Sequence, residues 1–255
     1  MHVSLNGRLL PESRAFVCAT DKAVLYGHGV FEVVHVYGGK PFRLSDHLIR
    51  LRRTARRFKV RVPRVEFDRV IRALCAKNRL AEAYVRITVT EGGSLLIIAL
   101  PPPPKPVSGR VRIAGWVHDP RAPLHGHKTL NYLENYLVRG ETRAAGYADT
   151  LFRDLDGRLL EGTTSNLFIV KRGVLMTPRV RGILPGVTRK TVIEVARRLG
   201  IRVRETDIRE RDLGGADEAF LTGTMLEVHA IRPGPVTRRI AEAYRARVTS
   251  FSRPR

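Results

Sequence analysis

Short apolar runs separated by glycine-containing turns fill the N-terminal part of this 255-residue chain, and they limit it to a sheet-based fold. Asn6-Gly7 divides HVSLNGRLLP into two short strands, and Gly38-Gly39 divides VFEVVHVYGGKPFRL in the same way. Both dipeptides are typical of the tight turn of a β-hairpin. AYVRITVT and SLLIIAL, joined by EGG, are predicted to be two further strands.

Two amphipathic helices are predicted between these strands. SDHLIRLRRTARRF carries apolar residues at 48, 51, 55 and 58, which is helical spacing, and Ser45 is predicted to cap its N-terminus. RVEFDRVIRALCAKNRL has the same amphipathic pattern. We interpret the basic run RLRRTARRFKVRVPR (50–64) as the end of the first helix followed by a strand.

Two breaks in regular structure, PPPPKPVSG and HDPRAPLHGHK, flank the predicted strand RVRIAGWV. We place a domain boundary here, with a small N-terminal α/β domain at 1–118 and a larger C-terminal domain at 119–255. A helix from about 129, a series of strands and the helices GVTRKTVIEVARRLG and VTRRIAEAYRARV follow. The fold class is therefore predicted to be α+β.

The charge balance is strongly basic, with 46 Lys and Arg against 24 Asp and Glu and a net charge of +22. Such a surface attracts acidic ligands. The charges are spread over the whole chain, however, so we predict no dedicated nucleic-acid partner. Cys18 and Cys75 lie far apart without a CxxC pair, so neither a disulfide framework nor a metal site is expected.

The longest strongly apolar run, LLIIAL (95–100), is too short to span a bilayer, so no membrane partner is expected. The N-terminus has no long apolar segment typical of a secretory signal. Two cysteines without a pairing pattern fit a reducing compartment. A cytoplasmic location is therefore predicted.

Three stretches contain residues suited to chemistry. Lys128, one of only eight lysines, is a potential nucleophile, although most single lysines are surface residues. Glu161 ends a predicted strand and is suited to pair with a protonated heterocyclic nitrogen, or is an exposed turn acid. Pro185-Gly186 precede a helix whose first N–H groups, with Thr188, are suited to bind phosphate, or are simply a capped helix start. FLTGTMLE (220–227) is a second small-residue turn that presents N–H groups.

Five stretches in this order resemble the class IV pyridoxal-phosphate-dependent aminotransferases: YGHGVFEVVHVYGGKPFRLSDHLIRL, HKTLNYLENYL, LLEGTTSNLF, GILPGVTR and FLTGTMLEV. That family includes branched-chain aminotransferase, D-amino-acid transaminase and 4-amino-4-deoxychorismate lyase. The resemblance runs from about Asn6 to about Val236. It implies fold type IV, with two α/β domains, the cofactor in the cleft between them, and a homodimer.

The resemblance also implies a cofactor site for pyridoxal 5'-phosphate. Lys128 matches the catalytic lysine that forms a Schiff base with the cofactor and then acts as a general base. Glu161 matches the carboxylate that pairs with the pyridine nitrogen, and Arg50 matches the arginine that grips the phosphate. The other implied cofactor-binding residues are Tyr132, Leu184, Val187, Thr188, Gly223 and Thr224.

Substrate residues are implied in the same way: Tyr26, Phe31, Tyr84, Arg86 and Met225. Their pattern resembles the branched-chain enzymes, so we predict ping-pong transfer of an amino group between a hydrophobic or branched-chain amino acid and a 2-keto acid. Two alternatives remain. A D-amino-acid transaminase is less favoured, because the loop TEGGS lacks the arginine and histidine of that group and Glu91 would repel a carboxylate. The compact chain and HKTLNYLEN look as much like 4-amino-4-deoxychorismate lyase, which eliminates pyruvate.

Overall fold

The structure is a computed structural model that describes residues 1–252. The chain forms two compact units. The first unit comprises residues 1–103, 128–132 and 248–252, and the second comprises 104–127 and 133–247. The domain boundary at residue 118 stays a prediction. Within residues 1–252, no helix combines the length and the apolar composition of a membrane span.

The first unit contains one antiparallel sheet of six strands, in the order β2-β1-β6-β5-β3-β4. Two helices cover one face of it, and the core lies between them and the apolar residues of β3, β5 and β6. The elements are β1 (His2–Leu5), β2 (Arg8–Pro11), α1 (Lys22–Tyr26), β3 (Gly29–Tyr37), β4 (Lys40–Pro41), α2 (Leu44–Arg57), α3 (Phe67–Lys77), β5 (Ala83–Thr90) and β6 (Leu95–Leu100).

Both predicted hairpins of this unit are confirmed. Leu5 pairs with Arg8 and Tyr37 with Lys40, which leaves two residues in each turn. Asn6 and Gly7 have φ values of 54° and 83°, the left-handed pair that a tight hairpin turn requires.

Two local predictions in this unit are wrong. Ser45 does not cap α2, because Phe42 still donates to the carbonyl of His35 (2.9 Å) and the chain turns at Arg43, with φ 52°. The helix therefore begins at Leu44, and no side chain caps it. The strand predicted at the end of the run 50–64 does not form. Val60 is instead buried against the helices.

The second unit contains a sheet in the order β12-β11-β10-β9-β8-β7, in which β13 also pairs with β10 and with β14. Most pairs are antiparallel, but β7 with β8 and β11 with β12 are parallel. The elements are β7 (Val111–Val117), α4 (Leu133–Ala144), β8 (Asp149–Arg153), β9 (Leu159–Gly162), β10 (Asn166–Lys171), β11 (Val174–Thr177), α5 (Val187–Arg198), β12 (Val203–Glu205), α6 (Glu210–Gly214), β13 (Glu218–Gly223), β14 (Glu227–Arg232) and α7 (Pro235–Ser252).

The helix predicted from about residue 129 begins later, at Leu133. The residues before it lie along β3 of the first unit. The amide of Phe31 donates to the carbonyl of Lys128 (2.9 Å), and the amide of Leu130 donates to that of Gly29 (3.0 Å). Thr129 forms an isolated bridge with Val30. Because these bonds hold the backbone in an extended form, the segment is not helical, and Lys128 is fixed beside Phe31.

Candidate active site

Lys128 lies against two aromatic rings in the first unit. Its Nζ is 4.7 Å from the centroid of the Phe31 ring and 5.3 Å from that of Tyr132. The two rings meet edge to face, with centroids 5.0 Å apart. The structure therefore brings together three residues that the sequence singled out. An amine held against ring faces in this way is positioned as well as attracted.

Arg86 contacts the same phenylalanine. Val33 pairs with Arg86, Phe31 with Thr88 and His35 with Tyr84 across β3 and β5, so Phe31, Tyr84 and Arg86 project from one face of the sheet. The Arg86 Cζ is 3.7 Å from the Phe31 ring centroid. Two cations therefore lie near one ring, an arrangement suited to attract an anion such as a carboxylate.

Tyr26 differs from the other predicted substrate residues of this unit. It is the last residue of α1, and 72% of its surface is exposed. The start of α1 is fixed by Asp21, whose carboxylate accepts from the amide of Ala23 (2.9 Å) and the hydroxyl of Thr90 (2.6 Å). The exposed position of Tyr26 is thus held by an ordered helix.

Arg50 forms a buried ion pair with Glu32. Arg50 Nε donates to Glu32 Oε1 (2.6 Å) and Nη2 donates to Oε2 (2.8 Å). His47 Nδ1 also donates to Oε2 (3.0 Å). Burial acts to raise the pKa of Glu32, but the charge and hydrogen bonds of Arg50 outweigh it and hold that pKa well below its usual range. Burial lowers the pKa of His47, so its imidazole is neutral at neutral pH.

Sequence reasoning missed Glu32 and His47. A signal was present, because a carboxylate within the apolar run VFEVV must be paired if the strand is buried. The apolar periodicity of α2 places its inward-facing residues opposite β3. Glu32 therefore sets the position of the guanidinium predicted to grip phosphate.

Glu161 is held by neutral donors in the second unit. Its Oε1 accepts from the backbone N–H of Leu184 (2.9 Å), and its Oε2 accepts from Asn166 Nδ2 (3.1 Å). Asn166 also donates to the Leu184 carbonyl (3.0 Å). Across the strands, Glu161 pairs with Asn166 and Asn166 pairs with Thr222. Asn166 therefore lies at the centre of this row of residues.

The turn that follows Glu161 is organised by Asp149, which is 3% exposed. Its Oδ1 accepts from the amide (3.0 Å) and hydroxyl (2.5 Å) of Thr163, and its Oδ2 accepts from the Ser165 hydroxyl (2.7 Å). A Cβ on Gly162 would collide with the same carboxylate. Sequence reasoning missed Asp149, although the small polar run GTTS signals a turn that needs an acceptor.

The start of α5 is suited to bind an anion. Gly186 is the residue before the helix, and no described side chain caps it. The backbone N–H groups of the buried residues Val187 and Thr188 lie in the first turn, where they have no partner within the helix. The helix dipole also favours negative charge at this N-terminal end. A Cβ on Gly186 would collide with Asn166 Oδ1, so glycine is required next to the Glu161 network.

The second predicted turn lies at the end of the same row of residues. Gly223 ends β13 directly after Thr222, and a Cβ on it would lie 3.0 Å from the carbonyl of Thr164. Thr224 and Met225 form the turn to β14. Within the second unit, the structure thus brings the turn after β13 close to the turn after Glu161.

Comparison with known proteins gives a consistent result. Residues 29–233 match the family described as amino-transferase class IV. The chain is 32% identical to the branched-chain-amino-acid aminotransferase of Escherichia coli (strain K12), in an alignment of 288 positions including gaps that covers 95% of this chain and 91% of that protein. The chain therefore belongs to the class IV aminotransferase family, and it is an aminotransferase.

Solved structures agree with this assignment. The branched-chain aminotransferase of Thermoproteus uzoniensis with norvaline is 35% identical, with a TM-score of 0.87 over 98% of this chain and 95% of that one. Another branched-chain amino acid aminotransferase, complexed with N-(5'-phosphopyridoxyl)-L-glutamate, is 27% identical, with a TM-score of 0.89 over 99% and 95%. The predicted fold class and family resemblance are confirmed.

Proposed function

We propose that this protein transfers the amino group of a hydrophobic, branched-chain L-amino acid to a 2-keto acid, with pyridoxal 5'-phosphate as cofactor. The observation that carries the proposal is the carboxylate of Glu161, fixed through both oxygens beside an uncapped helix start in the second unit. Relatives support it, because they are named for branched-chain substrates and one of them is complexed with a phosphopyridoxyl compound.

The residues of each unit fit the chemical groups of this cofactor. The phosphate fits the N–H groups at the start of α5, where a side chain on Gly186 would collide with Asn166. The ring nitrogen fits the anionic Glu161, whose bound donors orient both oxygens. The aldehyde carbon fits the amine of Lys128.

The residues that we propose to hold the cofactor are Arg50, Lys128, Tyr132, Glu161, Leu184, Val187, Thr188, Gly223 and Thr224. When bound, the cofactor acts as an electron sink for the substrate carbon that loses its proton. Glu161 keeps the ring nitrogen protonated, because its carboxylate is an acceptor held in place by Leu184 and Asn166. Lys128 acts as the general base that removes the proton and as the acid that returns it.

Substrate recognition is assigned mainly to the sheet face that carries Phe31, Tyr84 and Arg86. The guanidinium of Arg86, over the Phe31 ring, attracts the substrate carboxylate. The ring offers an apolar surface to the substrate side chain. Tyr26 and Met225 are proposed as the remaining contacts.

We also propose a cytoplasmic homodimer. The segment before β3 exposes four apolar residues: Phe16 (78%), Val24 (60%), Leu25 (54%) and Tyr26 (72%). Such a concentration of exposed apolar surface is typical of a protein–protein interface. The two cysteines are free, which supports a reducing compartment. Light scattering of a purified L25E variant should give a monomer if this segment forms the interface and a dimer if it does not.

The proposed reaction is tested by absorbance of the purified protein with bound cofactor. L-Leucine, D-alanine and aminodeoxychorismate are added separately, without an acceptor. L-Leucine should convert the cofactor to its amino form, and D-alanine should not. A response to D-alanine alone would reverse the proposed chirality. Release of pyruvate from aminodeoxychorismate, with the original spectrum regained, would make the protein a lyase instead.

A further inference from the structure

Two histidines and one carboxylate converge in the second unit, outside the residues assigned to the reaction. His118 follows β7, His125 lies in the next loop and Glu134 is in the first turn of α4. One ligand atom from each lies within 4.8 Å of the other two. We infer that His118, His125 and Glu134 form a binding site for one divalent transition-metal ion, for which Zn²⁺ is the best match.

His125 already has the orientation of a metal ligand. Its Nδ1 is 2.7 Å from the backbone carbonyl of Asp119. Because a carbonyl only accepts, Nδ1 carries the ring proton, and the lone pair is on Nε2. Histidine ligands in metal sites commonly donate their other N–H to such a carbonyl, which fixes the ring and its tautomer.

His118 is held in place by stacking. Its ring is 3.9 Å from the Phe152 ring and 4.4 Å from the His125 ring, centroid to centroid. Its Nε2 is 3.1 Å from Glu134 Oε1. Because a carboxylate only accepts, Nε2 carries the ring proton, so this ring would bind an ion through Nε2 only after that proton had moved to Nδ1.

Glu134 supplies the negative charge. Trp116 Nε1 donates to its Oε1 (2.7 Å), and His118 approaches the same oxygen. Because the Trp116 N–H only donates, Oε1 is held as an acceptor, the role that a carboxylate metal ligand needs.

The ligand set selects the kind of ion. Two imidazoles and one carboxylate suit zinc, with water in the fourth position, and suit calcium or magnesium poorly. Zinc bonds of about 2.0–2.2 Å place tetrahedral ligand atoms about 3.4 Å apart. The 3.1 Å between His118 Nε2 and Glu134 Oε1 is already in this range, and the other separations, all within 4.8 Å, need to close by at most about 1.4 Å. The side chain of Glu134 is 46% exposed, which leaves it room to move.

The site brackets the lysine in the sequence. His125 precedes Lys128 by three residues, and Glu134 follows it by six. A bound ion would link the chain segment before Lys128, which carries His118 and His125, to the segment after it, which carries Glu134. It should therefore stabilise the folded protein, and the gain should grow with the logarithm of the metal concentration above the dissociation constant. This inference does not depend on the proposed amino-acid substrate.

The test is a calorimetric titration of ZnCl₂ into tag-free protein with its cofactor bound. The variants are H125F, which keeps a ring for the stack, and E134Q, which keeps an acceptor for Trp116. H2Q, a histidine change outside the site, is the matched control. Wild type and H2Q should bind one Zn²⁺ per chain. H125F and E134Q should bind at least about tenfold more weakly, since each loses a direct ligand.

Thermal unfolding and a second ion keep the test decisive. Zn²⁺ should raise the unfolding midpoint of wild type and H2Q but not of the two site variants. Co²⁺ added to wild-type protein should give the intense visible ligand-field bands of a four-coordinate site, a readout that needs no variant to fold. Absence of a saturable Zn²⁺ site in wild type, equal affinity in H125F and E134Q, or only the weak bands of hydrated Co²⁺ would overturn the inference.

Discussion

Each unit buries a carboxylate near the residues proposed for the reaction, and the two carboxylates are satisfied in opposite ways. Glu32 in the first unit is fully buried against the cation of Arg50 and the imidazole of His47. Asp149 in the second unit accepts only from amides and hydroxyls. The first carboxylate balances a charge, whereas the second orders a turn.

The same contrast extends to the residues proposed for the reaction. The first unit contributes basic side chains: Lys128, Arg86 and Arg50. The second contributes backbone N–H groups and a carboxylate held by an amide side chain. The first unit should therefore be sensitive to changes of charge, and the second to changes of shape.

The largest effect on stability is expected from Glu32→Gln. This change leaves Arg50 buried without its counter-charge, so the free energy of unfolding should fall by about 3–5 kcal/mol. Denaturant unfolding measures it. Glu66→Gln, at an exposed glutamate of the same unit, should change it by no more than about 0.5 kcal/mol. If Glu32→Gln also lowered the free energy of unfolding by no more than about 0.5 kcal/mol, the buried charge of Arg50 would not need Glu32 for stability.

The matched change in the second unit is Asp149→Asn. It removes the charge of a buried carboxylate without leaving a cation unpaired. Only hydrogen bonds to the turn are weakened, so we expect a loss of about 1–3 kcal/mol in the free energy of unfolding, measured in the same way. An equal loss of unfolding free energy in Asp149→Asn and Glu32→Gln would contradict the proposed difference between the two buried carboxylates.

Shape sensitivity is tested by Gly186→Ala. The new methyl group would collide with Asn166 Oδ1 and displace the amide that holds Glu161. Overpacking of this kind costs about 1–3 kcal/mol. If that cost appears in cofactor binding, pyridoxal phosphate should bind roughly five- to 150-fold more weakly, as measured by fluorescence titration. Gly140→Ala is the control, because nothing lies within 4 Å of a Cβ at that helical position. Equal cofactor affinity in both variants would contradict the proposed phosphate site at the start of α5.

The smallest expected effect is a pH dependence that arises in the first unit. Because burial lowers the pKa of His47 in the folded state, the unfolded chain binds its proton more readily. Stability should therefore fall as pH drops below about 6.5. His47→Gln should make this slope shallower between about pH 7 and pH 5, and His2→Gln should not. His118, whose pKa is also lowered, contributes part of the remaining slope.

Sequence reasoning succeeded where local chemistry decides the structure. Asn6-Gly7 makes the first hairpin because both positions accept positive φ. The five ordered motifs predicted the family, which is confirmed. The roles of the individual site residues stay predictions.

The failures come from contacts distant in sequence. Ser45 lost the capping position because pairing between β3 and the following residues sets where the chain turns. The helix after Lys128 starts late because Thr129 and Leu130 bond to β3, about a hundred residues earlier. No local pattern showed that Glu32 would meet Arg50, although its burial required a partner.

The most direct test of the proposed chemistry is to find which lysine carries the cofactor. The holoenzyme is reduced with borohydride, digested and analysed by peptide mass spectrometry. We predict that one lysine of eight, Lys128, carries the added cofactor mass. Lys128→Ala should lose both the label and turnover, by at least about 10²–10⁴-fold, whereas Lys77→Ala should keep both. A label on another lysine, or full turnover in Lys128→Ala, would contradict the role assigned to Lys128.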